Sequence, residues 1–197
     1  MKHSSESKYS RDEVLSKCFE CLVSNGLEKT TTRSFSVATG LSSSSLYYWF
    51  RDKDEIVLDA TLFGLNTIID DLFTEAYSYL NDLDTLFKKF PQAIATYKKH
   101  LRLIYQVLVS PQYGEQLRAA TSKLSSAYDS YARVLADRLR CNYDDLCPFV
   151  HLFISVSTNF VLWEDEAKAI RQYEGLYQGV NLMIFSKQQK RDDYGAE

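Results

Sequence analysis

TTTRSFSVATGLSSSSLYYWFRDKDE, residues 30–55, is the stretch on which the reading of this chain turns. Thr30-Thr31-Thr32 offers hydroxyls able to cap a helix, and Arg33–Thr39 follows with Phe35 and Ala38 placed to face inward. Gly40-Leu41 breaks that segment. Ser42 can cap a second short helix running to Trp49 or Phe50, with Leu46 and Phe50 on its inner face. Asp52 can cap a third helix that starts at Lys53. Two short helices meeting at a glycine have the spacing of a helix-turn-helix.

In such a unit the second helix lies in the DNA major groove with its first residues toward base edges. Its exposed positions here are Ser43, Ser44, Tyr47 and Tyr48. Small residues at the start allow close approach, and the free N–H groups there suit a phosphate. Tyrosine hydroxyls reach phosphate oxygens while their rings pack on sugar. Lys53 brings a positive charge to the start of the next helix. Tyr47, Tyr48 and Trp49 are consecutive, so they cannot all point inward, and at least one large ring is exposed. Ser42–Trp49 holds no Arg, Lys, Asn or Gln, the side chains that read bases bidentately. Arg33 is the neighbour able to read a guanine in that way, and direct readout is expected to rest largely on it, with DNA shape supplying the remainder. The candidate DNA contacts are therefore Thr31, Thr32, Arg33, Ser42, Ser43, Ser44, Tyr47, Tyr48, Trp49 and Lys53.

Outward from this stretch the chain reads as helix throughout. Upstream, Val14, Leu15, Cys18 and Leu22 recur at helical spacing over 11–24, and Asn25-Gly26 ends the run. Downstream, Leu58, Leu62, Leu65, Ile69, Leu72, Ala76 and Leu80 keep a spacing of three or four from Lys53 onward. Residues 81–90 read as a connection with one short helix at most. Pro91 then fits the first turn of a helix over 91–109, which Ser110-Pro111 stops. Further helices are expected over 115–140, about 145–163 and about 168–188, followed by a charged, frayed tail over 187–197. The expected fold class is all-α. A DNA-binding domain over 1–53 precedes a helical domain over 54–197.

Bulk properties agree. Of 197 residues 45% are hydrophobic, enough for a core without disulfide or metal staples. Seven Gly and three Pro favour long helices over many turns. The net charge is −3, but residues 1–53 carry eight Lys/Arg against six Asp/Glu while the rest is acidic, which turns the N-terminal part toward phosphate. Cys18 and Cys21 have a C-x-x-C spacing, yet they sit in an amphipathic helical run with no second ligand pair at zinc spacing. With Cys141 and Cys147 they read as free thiols of a reducing compartment, and no metal or cofactor is expected. No apolar run follows the polar start MKHSSESKYSR, and Phe149–Trp163 reads as too short and too polar to span a bilayer, so a soluble, cytoplasmic protein is expected. There is no phosphate loop, H-E-x-x-H, nucleophile elbow or clustered His/carboxylate set, so catalysis is not expected.

Several fixed spacings carry a resemblance. Gly26, Thr31-Thr32, Gly40-Leu41-Ser42, Leu46-Tyr47-Tyr48-Trp49-Phe50 and Lys53-Asp54-Glu55 together resemble the N-terminal pattern of the tetracycline-repressor (TetR) family of bacterial regulators, over about 50 residues. The chain departs from it at Ser43 and Ser44, where the family often has Lys or Gly, and at Trp49, where it often has His. The resemblance implies a repressor that binds double-stranded operator DNA, with a C-terminal domain for dimerisation and a small-molecule effector.

The C-terminal residues supply candidates for both roles. Residues 145–163 are apolar nearly all round and must be buried on more than one side. With the last helix, which carries Gly175 and Gly179 four apart, they read as half of a four-helix homodimer interface. Its candidate residues are Phe153, Phe160, Tyr173, Gly175, Leu176, Gly179 and Val180. Tyr97, Tyr105, Tyr128, Tyr131, His151, Asn159 and Trp163 put polar tips on apolar faces and are candidates for a pocket holding an apolar or aromatic ligand. His151 reads as a core histidine without a metal role, because no second His lies near it in sequence. The competing reading is an all-helical ligand-binding or interaction protein without sequence-specific DNA binding.

Overall fold

The computed structural model describes the backbone of residues 9–194, and their side chains except at 122–125 and 187–194. The polar start and the last residues of the tail lie outside the described residues. Among those described, ten α-helices form and no strand does, as the all-α reading expects.

Three N-terminal helices, the second and third of them short, begin at side-chain caps. In α1 (Arg11–Asn25) the Ser10 hydroxyl accepts from the Glu13 N–H, the Glu13 carboxylate accepts from the Ser10 N–H, and Gly26 at φ 81° ends the helix. Thr31 and Ser34 make the same reciprocal pair at the start of α2 (Thr32–Thr39). Gly40 closes α2 in the left-handed region (φ 75°, ψ 13°), where a side chain is disfavoured. Ser42 caps α3 (Ser43–Trp49) by accepting from the Ser45 N–H. Asp52 accepts from the Glu55 N–H at the start of α4 (Lys53–Ser78).

The later helices depart from their expected bounds. Instead of starting at Pro91, α5 spans Leu83–Thr96 and runs through it, capped by Asp82, which accepts from both the Thr85 N–H and its hydroxyl. The break comes at Tyr97, whose N–H bonds tightly back to Ile94, and α6 (Lys98–Val109) follows. The single helix expected over 115–140 is two, α7 (Gly114–Ala120) and α8 (Ser122–Leu139), parted at Thr121. Helix α9 spans Tyr143–Trp163, and α10 continues from Glu166 to Tyr194, well into the stretch expected to fray. At 21 residues and a mean hydropathy of 1.5, α9 is long and apolar enough to cross a membrane, which corrects the reading of it as too short. Its start at Tyr143 adds six residues to the apolar run read from the sequence.

Two compact units result. One comprises the chain to Ile69 with Lys99–Thr121, the other Asp70–Lys98 with the chain from Ser122 onward, and α4 contributes to both. The first is built on buried Val14, Leu15, Cys18, Leu22, Phe35, Leu46, Phe50, Ile56 and Val57. Gly64 lets α4 press on α1: a Cβ there would lie 2.2 Å from the Phe19 ring. Tyr113 donates to Asp54 across 2.8 Å, and His100 meets Glu20 at 3.1 Å, which ties 99–121 to this unit. The second unit packs α10 on α9 and α5, and α9 on α8, around Leu86, Ile94, Leu135, Leu146, Phe160, Val161 and Tyr173.

Candidate nucleic-acid interface

The turn between α2 and α3 is held by hydroxyls. Buried Thr39 donates to the Phe35 carbonyl (2.7 Å) and accepts from the Leu41 N–H (3.2 Å), fixing the chain as it leaves α2. Two further pairs latch the helices together: Ser36 with Ser43 (Oγ–Oγ 3.1 Å), and Thr32 Oγ1 with the Tyr47 hydroxyl (3.1 Å). Leu46 and Phe50 are buried beneath, as expected from their spacing. The outer face is left to Ser43, Ser44, Tyr47 and Tyr48, all exposed, with Tyr48 at 87%. Trp49 is half-buried, so the exposed rings of the aromatic triplet are the two tyrosines.

Among the other candidates, Thr31, Arg33 and Ser42 are exposed and Thr32 and Lys53 are half-buried. The latches add detail that spacing could not supply. Tyr47 is oriented by Thr32, and Ser43 by Ser36, so part of the hydroxyl set positions the helix itself. The sequence reading passed over Val37, which is 78% exposed. Its position one turn after Arg33 on α2 was the available signal. Arg33 and Val37 flank an open groove between α1 and α2 that is also lined by Lys17, Glu20 and Asn25. Cys18 and Cys21 lie buried on the inner side of α1, and burial pushes the Cys18 thiol up to about 12 and Cys21 upward, which disfavours a reactive thiolate at either.

The residues proposed for ligand and dimer do not form two tidy sets. Tyr128 and Tyr131 gather on Phe73, with ring centroids 5.3 and 5.6 Å away, and Tyr77 sits 5.1 Å from Tyr131. Half-buried Tyr97 donates to Asp71 at 2.8 Å. Tyr105 is half-buried and belongs to the first unit, whereas the others belong to the second. His151, Asn159 and Trp163 are exposed, because α9 turns Leu146, Val150, Ser157, Phe160 and Val161 inward instead.

Of the interface candidates, Phe160, Tyr173 and Val180 are buried within the protomer, and half-buried Phe153 stacks against Phe87, Phe90 and Tyr173. Tyr173 also shares a 2.6 Å hydrogen bond with Ser157. The two glycines part company. A Cβ on Gly179 would meet Phe149 at 3.0 Å, so it serves packing inside the protomer, while nothing lies within 4 Å of one on Gly175. Leu176 is half-buried. The apolar side chains left outside are Leu152, Leu162 and Trp163 on α9 and Ile170, Leu182 and Phe185 on α10.

Two solved structures share this all-helical architecture. A crystal structure of a Mesorhizobium loti protein classed with the TetR-family transcriptional regulators superposes with a TM-score of 0.65, covering 87% of this chain and 96% of that one at 16% identity. A Shewanella protein classed with the TetR-family transcription regulators superposes at 0.54, with 12% identity and 87% and 98% coverage. No family model matches the sequence, and no curated protein does. At these identities the likeness is one of fold, and at that level the resemblance read from residues 26–55 is borne out.

Proposed function

We propose that this chain is a cytoplasmic, ligand-responsive transcriptional regulator, without catalytic activity, that represses by binding a palindromic operator as a homodimer and lets go when a small apolar or aromatic effector binds. The observation carrying the proposal is the outer face of α2 and α3. Arg33, Val37, Ser43, Ser44, Tyr47 and Tyr48 are exposed together on two helices latched by hydroxyl pairs. Val37 and the Tyr48 ring, 78% and 87% exposed, offer apolar surface for a partner to cover. The chemistry of this face suits a duplex: one guanidinium for a guanine edge, a valine for a thymine methyl, and hydroxyls for phosphate oxygens.

Homodimerisation is supported by the exposed apolar residues of α9 and α10, with Gly175 open to the close approach of a second backbone. Two such protomers on a twofold axis suit a palindrome. An aromatic effector is supported by the Phe73, Tyr77, Tyr128 and Tyr131 cluster, whose rings offer edge and face contacts. Helix α4 runs without a break from Lys53 beside α3 to Ser78 in that cluster's unit, so an effector that favours one position of α4 shifts the population of DNA-competent dimers.

Selection of bound duplexes from a random pool, followed by gel shifts from low to high salt, tests the reading. A recurring palindrome whose binding weakens steeply with salt is expected. Recovery of no preferred sequence, with retained binding of small aromatic compounds, would instead favour a helical ligand carrier.

A further inference from the structure

Helices α8 and α9 bring together three side chains that the sequence keeps apart. Asp129 on α8, and Cys147 and His151 on α9, each offer one donor atom, and the three donors lie within 4.8 Å of one another. Cys147 and His151 are one turn apart and so share a face of α9. Tyr143, a turn before Cys147, donates to the Asp129 carboxylate at 2.9 Å and accepts from the Cys147 thiol at 3.3 Å. The Arg133 guanidinium lies 4.2 Å from the centroid of the Tyr143 ring and holds it in place.

We propose that Asp129, Cys147 and His151 form a binding site for a borderline transition-metal dication, Zn²⁺ in the first instance, with solvent in the fourth position. The donor set selects the metal. One thiolate, one imidazole and one carboxylate suit Zn²⁺ and are poor company for Mg²⁺ or Ca²⁺, which take oxygen ligands. Bond lengths of about 2.0–2.3 Å around a tetrahedral ion put donor atoms about 3.5 Å apart. Donor pairs as far apart as 4.8 Å therefore have to close by about 1 Å, and exposed His151 is free of the packing that would resist its rotation. Binding releases the Cys147 proton to solvent and replaces the thiol's hydrogen bond with a metal bond, while Tyr143 goes on donating to Asp129 and orients that carboxylate. Exposure of His151 provides the entry path, and the ion would clip α8 to α9.

The inference is independent of DNA binding, because its test reads the free protein. Stoichiometric Co²⁺ added to the metal-free full chain is expected to give a thiolate-to-cobalt charge-transfer band and the intense visible bands of tetrahedral cobalt, both abolished by Zn²⁺. Cys147→Ser should remove the charge-transfer band although Cys18, Cys21 and Cys141 remain. His151→Ala, at an exposed position where folding is not at stake, should weaken Zn²⁺ binding by about ten-fold or more and abolish the Zn²⁺-dependent rise in melting temperature. Absence of the band, its persistence in Cys147→Ser, or an unchanged affinity in His151→Ala would each overturn the assignment.

Discussion

The α2–α3 unit and the α8–α10 helices achieve definition by opposite means. In α2–α3 the helices are seven or eight residues long and their bounds are written in side chains: Thr31 with Ser34, Gly40, and Ser42. Few core residues are needed, and the outer face is free for a partner. In α8–α10 the helices run 18 to 29 residues, and packing chooses which face is buried. Capping side chains thus set the bounds of α2 and α3, whereas tertiary contact selects the buried face in α8–α10.

That contrast can be broken most severely at the core of the short unit. Phe35 is fully buried, and Phe35→Ala should cost about 3–5 kcal/mol in denaturant unfolding. Trp163→Ala, at a residue 74% exposed, should change protomer stability by less than about 0.5 kcal/mol while weakening self-association measured by sedimentation. A comparable cost for both would mean that the exposed face of α9 is already part of the protomer core.

A pH titration sharpens the picture of the first unit. Burial, with help from the hydrogen bond to Asp54, pushes the Tyr113 hydroxyl up to about 12 from the usual 10. The folded state thus holds a proton that the unfolded chain gives up earlier. The stability this adds is complete below pH 10 and lost as pH rises toward 12, a change on the order of 2 kcal/mol. Tyr113→Phe should flatten that part of the alkaline stability curve, while burial of Cys18 leaves a residual slope.

The glycines give the smallest and most diagnostic pair. Gly40 has φ 75°, and a Cβ there would meet only the Tyr9 hydroxyl at an ordinary 3.9 Å, so Gly40→Ala meets conformational strain alone and should destabilise by about 1 kcal/mol or more. Gly175 lies within helical backbone, and a Cβ added there would have nothing within 4 Å, so Gly175→Ala should stabilise the isolated protomer by about 0.5–1 kcal/mol. Thermal melts that move in the same direction for both would contradict this account of either position.

These differences explain what the sequence made legible. The helix bounds within residues 26–55 could be read because Gly26, Thr31, Gly40 and Ser42 mark boundaries through their own chemistry, although Ala38, expected to face inward, is exposed. The breaks at Tyr97 and Thr121 carry no such mark. Tyr97 is positioned by a bond to Asp71, far along the chain, and Thr121 stands where the backbone passes from one compact unit to the other. Pro91 misled for a related reason: α5 buries it along with Leu86, Phe90 and Ile94, and that packing outweighs a lost backbone bond. In α9, apolar residues on nearly every side concealed which face goes inward. Phe160 is therefore an interface candidate by sequence yet packs inside the protomer, and His151 and Trp163 are pocket candidates yet lie exposed. The approach of Asp129 to Cys147 and His151 depends on the pairing of two helices and has no signature in spacing along either one.

Arg33 provides the most direct test that the outer face of α2–α3 reads DNA. Affinities of the wild type and Arg33→Ala can be measured at fixed salt across a selected operator and all its single-base-pair variants. The account predicts that the substitution removes about 1–3 kcal/mol of discrimination at one base pair in each half-site and leaves the other positions ranked as before. Equal weakening on every duplex, or no weakening at all, would contradict it.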